Sequence, residues 1–323
     1  MTTIVETPAS RLAMFPVTFF AVVMGLGGLA LALHAAAAPL GLGPALSGIA
    51  FAVAAVVFVL ISVIYLTKAV RHPGAVAAEW HHPVKLAFFP AISISLLLLA
   101  TSALTHAPGL ALPLWLAGAA LHAVLTVTVV SGWIGTRAFQ HGHLSPAWFI
   151  PAVGNVIVPI AGVPLGFVEL SWYFMAVGLV FWSVLLTLVF NRLVFHDPLP
   201  GRLQPTLVIL IAPPAVAYLA WMRLTAETGP FALILLNSAY FFALVVAVQL
   251  PRILRLPFAM SFWALSFPIA AIAIASFAHA GNTGSDVHRL IGAGLLAVLV
   301  IVIAGLSIRT LRAVARGEIC QPD

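Results

Sequence analysis

The sequence predicts an all-α polytopic membrane protein, with ten transmembrane helices in five helical hairpins. An inner ring of five kinked helices surrounds a pore and an outer ring of five encloses it. Three observations predict this. The 323 residues are 63% hydrophobic and only 7% charged, whereas a soluble domain spends about a quarter of its residues on Asp, Glu, Lys and Arg. Apolar runs recur along the whole chain at the length of about 20 residues that crosses a ~30 Å hydrocarbon core. Prolines and basic residues both sort by alternate runs. A β-barrel is disfavoured, because barrel strands alternate apolar and polar side chains over ~10 residues, while Phe51 to Leu66 and Leu290 to Leu306 are apolar on all sides.

The first span, Leu12 to Ala37, follows Arg11 and carries Pro16 and the glycines Gly25, Gly27 and Gly28. Its length argues against a signal peptide, whose apolar region runs about 7 to 15 residues, and the preceding segment sets Glu6 against Arg11. The second, Pro44 to Thr67, ends at Lys68 and Arg71. The third, Pro83 to Thr105, carries Pro90, and Lys85 near its start can snorkel. The fourth, Leu110 to Trp133, holds His122 midway and leads to Arg137. The fifth, Ala147 to Val168, contains Pro151, Pro159 and Pro164. The sixth, Ser171 to Phe195, runs towards Arg192 and Arg202. The seventh, Pro205 to Trp221, is the shortest and carries Pro213 and Pro214. The eighth, Pro230 to Leu250, precedes Arg252 and Arg255. The ninth, Pro257 to His279, holds Pro268. The tenth, His288 to Leu311, ends among Arg309, Arg312 and Arg316.

With Arg11 and Lys85 counted, 12 of the 14 basic residues fall on one side, leaving Arg223 and Arg289 on the other. By the positive-inside rule both termini are expected in the cytoplasm, which an even number of spans satisfies. The prolines deeper in the spans sit in the odd ones. Each removes an N–H and frees the carbonyl four residues earlier, so Pro268 frees Ala264 and Pro90 frees Leu86. Such a carbonyl is costly against lipid and tolerable against protein or a water-filled cavity. The odd helices therefore belong inside. The local echo of Ala87-Phe-Phe-Pro90, Trp148-Phe-Ile-Pro151 and Leu265-Ser-Phe-Pro268 reads as a weak internal repeat of helix pairs.

No carboxylate lies well inside any span, although ion-coupled carriers place carboxylates at membrane depth. A neutral lumen with basic residues at its cytoplasmic mouth favours anions. Candidates to line it are Thr18, Gly25, Phe89, Pro90, Ser93, Ser95, Asn155, Ser261, Ser266 and Pro268. The hydroxyl groups have helix-to-helix hydrogen bonding as an equal reading, and the glycines have close packing. Phe267 lies ten residues past Pro257, so ~15 Å along the helix, near the bilayer midplane and at a proline kink. An aromatic ring there is able to plug a narrow pore, although by position alone it reads first as packing. His81, His82, His141 and His143 read as loop residues, since no set of four ligands gathers around them. His122 reads as bonded to a neighbouring helix. Cys320, alone in the chain, has no disulfide partner.

Three stretches, Glu79-Trp-His-His-Pro-Val-Lys85, Ser145-Pro-Ala-Trp-Phe-Ile-Pro-Ala-Val-Gly-Asn155 and Ser261-Phe-Trp-Ala-Leu-Ser-Phe-Pro268, resemble the tellurite-resistance/dicarboxylate transporter family. That family holds bacterial tellurite-resistance protein A and the slow anion channels of plant guard cells. The resemblance implies a homotrimer with one pore per subunit, five inner helices within five outer ones, and occlusion by the phenylalanine at the position of Phe267. The reading that follows is a channel or uniporter for small anions in the bacterial inner membrane. Its alternative is a proton-coupled carrier of C4-dicarboxylates or tellurite. A membrane sensor or scaffold without transport is a weaker reading. An enzyme is weaker still, because no carboxylate pair, Ser-His-Asp set or metal triad can be assembled at depth. No cofactor and no nucleic-acid partner are expected.

Overall fold

The computed structural model describes residues 10–135 and 139–321; Glu6 and Arg137 lie outside the described residues. Nine helices among those residues are long and apolar enough to cross a membrane: α1 (Val17–Leu40), α2 (Ala45–Arg71), α4 (Lys85–His106), α5 (Pro108–Gly135), α7 (Val168–Phe195), α8 (Gly201–Thr225), α9 (Pro230–Ile253), α10 (Met260–Thr283) and α11 (Asp286–Ala315). A short helix, α3 (Pro73–His81), occupies the connection read as a loop after α2. The broken segment α6 (Pro146–Gly162) stands where the fifth span was expected. No strand occurs among the described residues.

The fifth span is shorter than the sequence reading made it. It ends at Gly162 rather than Val168, and the next helix begins at Val168 rather than Ser171. Three prolines explain the interruption, since Pro151, Pro159 and Pro164 cannot donate to an α-helical ladder, and Gly166 adopts a left-handed φ of +90° in the turn that follows. Side chains of α5 bond to carbonyls of this broken segment. Thr126 donates to Pro151 O at 2.8 Å and Trp115 Nε1 donates to Val158 O at 3.0 Å. Irregular backbone at membrane depth is tolerated when protein satisfies it in this way.

All five proline-bearing segments open with 3₁₀ turns, at Val17–Phe19, Lys85–Phe88, Pro146–Trp148, Gly201–Ile211 and Met260–Leu265. The physical cause is visible at Pro90. Leu86 O, which Pro90 cannot address, takes Phe89 N–H at 3.3 Å in a tighter i to i+3 bond.

The segments close into two rings. Around the inner ring α1 packs on α4, α4 on α6, α6 on α8, α8 on α10, and α10 back on α1. Each outer helix fills the groove between two consecutive inner ones. Thus α2 lies on α1 and α4, α5 on α4 and α6, α7 on α6 and α8, α9 on α8 and α10, and α11 on α10 and α1. The outer helices leave large apolar side chains uncovered, such as Val56, Val59, Leu60 and Val63 on α2. An apolar surface of that extent belongs against lipid.

At the end of the bundle that carries the described terminal residues, one charged cluster is buried. Lys68 donates to Glu79 Oε2 and to Phe15 O, both at 2.8 Å; Tyr65 donates to the same oxygen at 2.9 Å; Val17 N–H donates to Glu79 Oε1 at 3.3 Å. Lys68 and Glu79 both lie in the connection that the sequence reading put between the second and third spans. Instead α2 continues past Thr67, α3 folds back over it, and the pair supplies partners to backbone groups left unpaired where α1 begins. Arg192 is likewise buried in the last turn of α7, where it donates to Asp197 O. Cys320 is a free, half-buried thiol, and that burial pushes its pKa up, against the smaller opposing effects of Lys68 and Arg11.

Candidate pore

A cavity of about 60 Å³ lies on the axis of the inner ring. It is walled by all five inner segments and by no residue of the outer five: Met24 from α1, Phe88 and Ile94 from α4, Val153 and Gly154 from α6, Ile209 and Val216 from α8, and Trp263, Ala264, Phe267 and Pro268 from α10 are among its lining. Among the described residues no ionisable side chain lines it. The lining follows helical spacing, as with Phe88, Ala91 and Ile94, or Trp263 and Phe267.

Of the residues the sequence nominated, the structure places Phe267 and Pro268 on the cavity wall. Phe267 is half-buried, and its ring lies over Gly28 of α1. A Cβ built on Gly28 would stand 2.9 Å from Ala270 Cβ and 3.4 Å from Phe267 Cδ2. The small residues of α1 therefore let α10 approach closely enough to bring this ring over the axis.

The other nominees turn away from the cavity. Ser93 Oγ donates to Pro90 O at 2.8 Å and meets His122 Nδ1 of α5 at 2.9 Å. With its single proton given to Pro90, Ser93 receives the Nδ1 proton of His122, as the expected bond to a neighbouring helix. Asn155 donates to Ala152 O at 2.7 Å and to Thr126 Oγ1 of α5 at 3.1 Å. Ser95 donates to Ala91 O at 2.7 Å and Ser266 to Trp263 O at 2.6 Å. Gly25 packs against Ser266 and Trp263. Phe89 points at the second layer, its ring 4.9 Å from that of Trp80 and 6.4 Å from that of Tyr65, while its neighbour Phe88 faces the cavity. Thr18 is half-buried in the first 3₁₀ turn, and neither it, Pro90 nor Ser261 lines the cavity.

The polar groups of the inner ring thus serve contacts between helices, and the lumen is left to apolar side chains. Sequence reasoning missed Met24, Ile94, Val153 and Val216 because a lumen-facing aliphatic residue is the same residue type as a packed one. The available signal was register, since positions three and four residues from Phe267 share its face.

Among the described residues no group of three His, Cys, Asp or Glu side chains gathers to hold a metal ion. Glu79, the one carboxylate near His81 and His82, is taken by Lys68 and Tyr65.

Nine membrane-length helices and the shorter segment α6, with the five proline-bearing segments grouped round an apolar cavity, define a polytopic all-α membrane protein. The family model described as voltage-dependent anion channel, SLAC1, matches residues 14–311, and the chain belongs to that family. It is 29% identical over 257 residues to the S-type anion channel SLAH2 of Arabidopsis thaliana, covering 76% of this chain and 49% of that protein. It is 25% identical over 331 residues to the uncharacterized transporter MJ0762 of Methanocaldococcus jannaschii, covering 94% of this chain and 96% of that one. It is 24% identical over 201 residues to the tellurite resistance protein TehA homolog of Haemophilus influenzae, covering 61% of each. The chain spans about half the length of SLAH2. The resemblance read from the three motifs is borne out at the level of the family.

Proposed function

We propose that this protein is a passive channel or uniporter for small anions, and that Phe267 closes its lumen. The observation that carries the reading is the cavity itself, bounded by every inner segment, with no ionisable residue in its lining among the described residues, and lined by four aromatic rings of which Phe267 directly precedes a proline. A neutral apolar constriction excludes no anion by charge and closes by dewetting when a ring narrows it. Relatives named as S-type anion channels support the same class of cargo. The basic end of the bundle then faces the cytoplasm with both termini, the membrane is the bacterial inner membrane, and the assembly is a homotrimer with a pore in each subunit, as the family resemblance implies.

The test is Phe267→Ala. Removing a block worth even 1.4 kcal/mol raises anion current about tenfold, read in oocytes or planar bilayers; an unchanged conductance removes the gate assignment. The lining also sets an order of permeation. Because apolar walls do not replace the water that an anion sheds on entry, weakly hydrated nitrate should pass more readily than chloride, and the malate dianion least. Reversal potentials measured across the three check this, and a reversed order would place polar groups in the conducting lumen. Uphill uptake driven by a pH gradient in proteoliposomes would replace the channel with a coupled carrier.

A further inference from the structure

The end of the bundle away from the buried ion pair holds a polar cluster that permeation does not use. His279 lies near the end of α10 and His288 in the first turn of α11, joined by a tight turn in which Gly284 has a φ of +70°. Their ring centroids are 4.4 Å apart, with 62° between the planes. Each ring is held through Nδ1, which for His279 lies 3.1 Å from the Tyr218 hydroxyl of α8 and for His288 lies 2.7 Å from Ser285 Oγ. Ser285 is fixed in turn as the cap of α11, accepting from His288 N–H. One helical turn before His279, Ser276 bonds Tyr240 of α9 at 2.8 Å. Three neighbouring helices therefore hold this turn of α10, and both imidazoles keep Nε2 without a hydrogen-bond partner among the described residues.

We infer that His279 and His288 form a binding site for a divalent transition-metal ion of the kind imidazole prefers, with Zn²⁺ as its probe. Histidines that ligate a metal through Nε2 are oriented by a hydrogen bond at the other ring nitrogen, and both rings have one here. The separation fits as well. A tetrahedral ion ~2.1 Å from each Nε2 holds the two centroids roughly 5 Å apart, within about 1 Å of the observed spacing. Among the described residues no third protein ligand joins them. Asp286, the nearest carboxylate in sequence, is exposed and paired with Arg289 at 2.8 Å. Water completes the coordination, which makes the ion exchangeable, and its effect is to pin the gate-bearing helix α10 to the outer helix α11.

A second close pair, His141 and His196, provides the control. Its centroids are 4.8 Å apart but the planes lie only 29° from parallel, so the rings stack by their faces and present no pair of converging nitrogens. Neither ring has a hydrogen bond through Nδ1 among the described residues.

The experiment is thermal unfolding of the purified full chain in detergent across a Zn²⁺ titration, with Mg²⁺ in parallel. Zn²⁺ is expected to raise Tm with the logarithm of its concentration once above its Kd, as a ligand of the folded state does, while Mg²⁺, which favours oxygen ligands, leaves it unchanged. His279→Ala and His288→Ala should each raise the Zn²⁺ concentration that gives a fixed Tm increase at least about tenfold, and His141→Ala should leave it where it was. His279→Gln and His288→Gln, which keep a polar side chain at each site, guard against a variant that fails to fold. A Tm that ignores Zn²⁺, a shift that survives in both glutamine variants, or one that disappears in His141→Ala overturns the site. None of these outcomes depends on how the pore gates.

Discussion

Two glycines, Gly25 in α1 and Gly294 in α11, measure the difference between the rings. A Cβ placed on Gly25 would fall 2.3 Å from Ser266 Oγ and 3.0 Å from Trp263; on Gly294 it would meet nothing within 4 Å. The helices around them differ in the same sense. In the most apolar stretch of α4, 83% of residues are buried, against 17% in α2, yet α2 has the highest mean hydropathy of the nine membrane-length helices. Hydropathy here marks contact with lipid, the reverse of its use in a water-soluble core. Small residues, hydroxyls and prolines mark the interior, because close approach and backbone satisfaction decide which helices can line an axis.

The largest departure from that division is the buried pair at its seam, where Lys68 of the outer ring reaches Glu79 and the first turn of the inner one. Glu79→Gln leaves Lys68 buried without its counter-charge and should cost about 3–5 kcal/mol, read as a fall in Tm in detergent. Lys68→Met combined with Glu79→Gln should recover much of the loss, since no lone charge is then buried. Equal destabilisation by the single and double variants would show that packing by the two side chains, and not their pairing, joins the rings there.

A smaller effect tests the close approach directly. Gly25→Ala forces its Cβ against Ser266, and Gly154→Ala forces one to 2.8 Å from His122 Cε1 and from Ile94 Cδ1. Overpacking of this kind costs about 1–3 kcal/mol. Ser266→Gly in the Gly25→Ala background removes the opposing atom and should restore part of the Tm. If Gly25→Ala is silent, α1 and α10 are separable, and the contact that carries Phe267 over the axis is loose.

The ring assignment was legible in the sequence because prolines and arginines are few and their consequences are local. Alternate spans carry the interior prolines, and those spans are the buried ones. Boundaries were less legible. Gly162, Pro164 and Gly166 mark the turn after α6, but membrane helices also carry glycine and proline, so α6 was read six residues too long, and the Pro73–His81 helix escaped notice within the connection that follows Thr67. The lumen was legible only at Phe267 and Pro268. Ser93, Asn155 and Ser266 drew attention as polar residues in an apolar helix, yet a hydroxyl or amide at depth finds its cheapest partner in a neighbouring carbonyl or side chain. The choice of Phe89 over Phe88 failed for another reason. The 3₁₀ turn at Lys85–Phe88 shifts angular register relative to an α-helix, so adjacent aromatics exchange faces.

The smallest expected effect sharpens the same contrast from outside. Gly294→Ala places a methyl group in open space on a lipid-facing helix and removes backbone freedom from the unfolded chain, a change that stabilises by about 0.4–1 kcal/mol where the native backbone accepts it. Gly294 sits within α11 and its φ is not positive, so the backbone does accept it. Tm should rise slightly, and anion flux through the neighbouring lumen should stay within error, because no inner-ring atom moves. A fall in Tm comparable to that of Gly25→Ala would mean that the face of α11 around Gly294 is packed against protein. The most direct explanation would then be a second copy of the chain seated on it, which the mass of the detergent-solubilised particle would reveal.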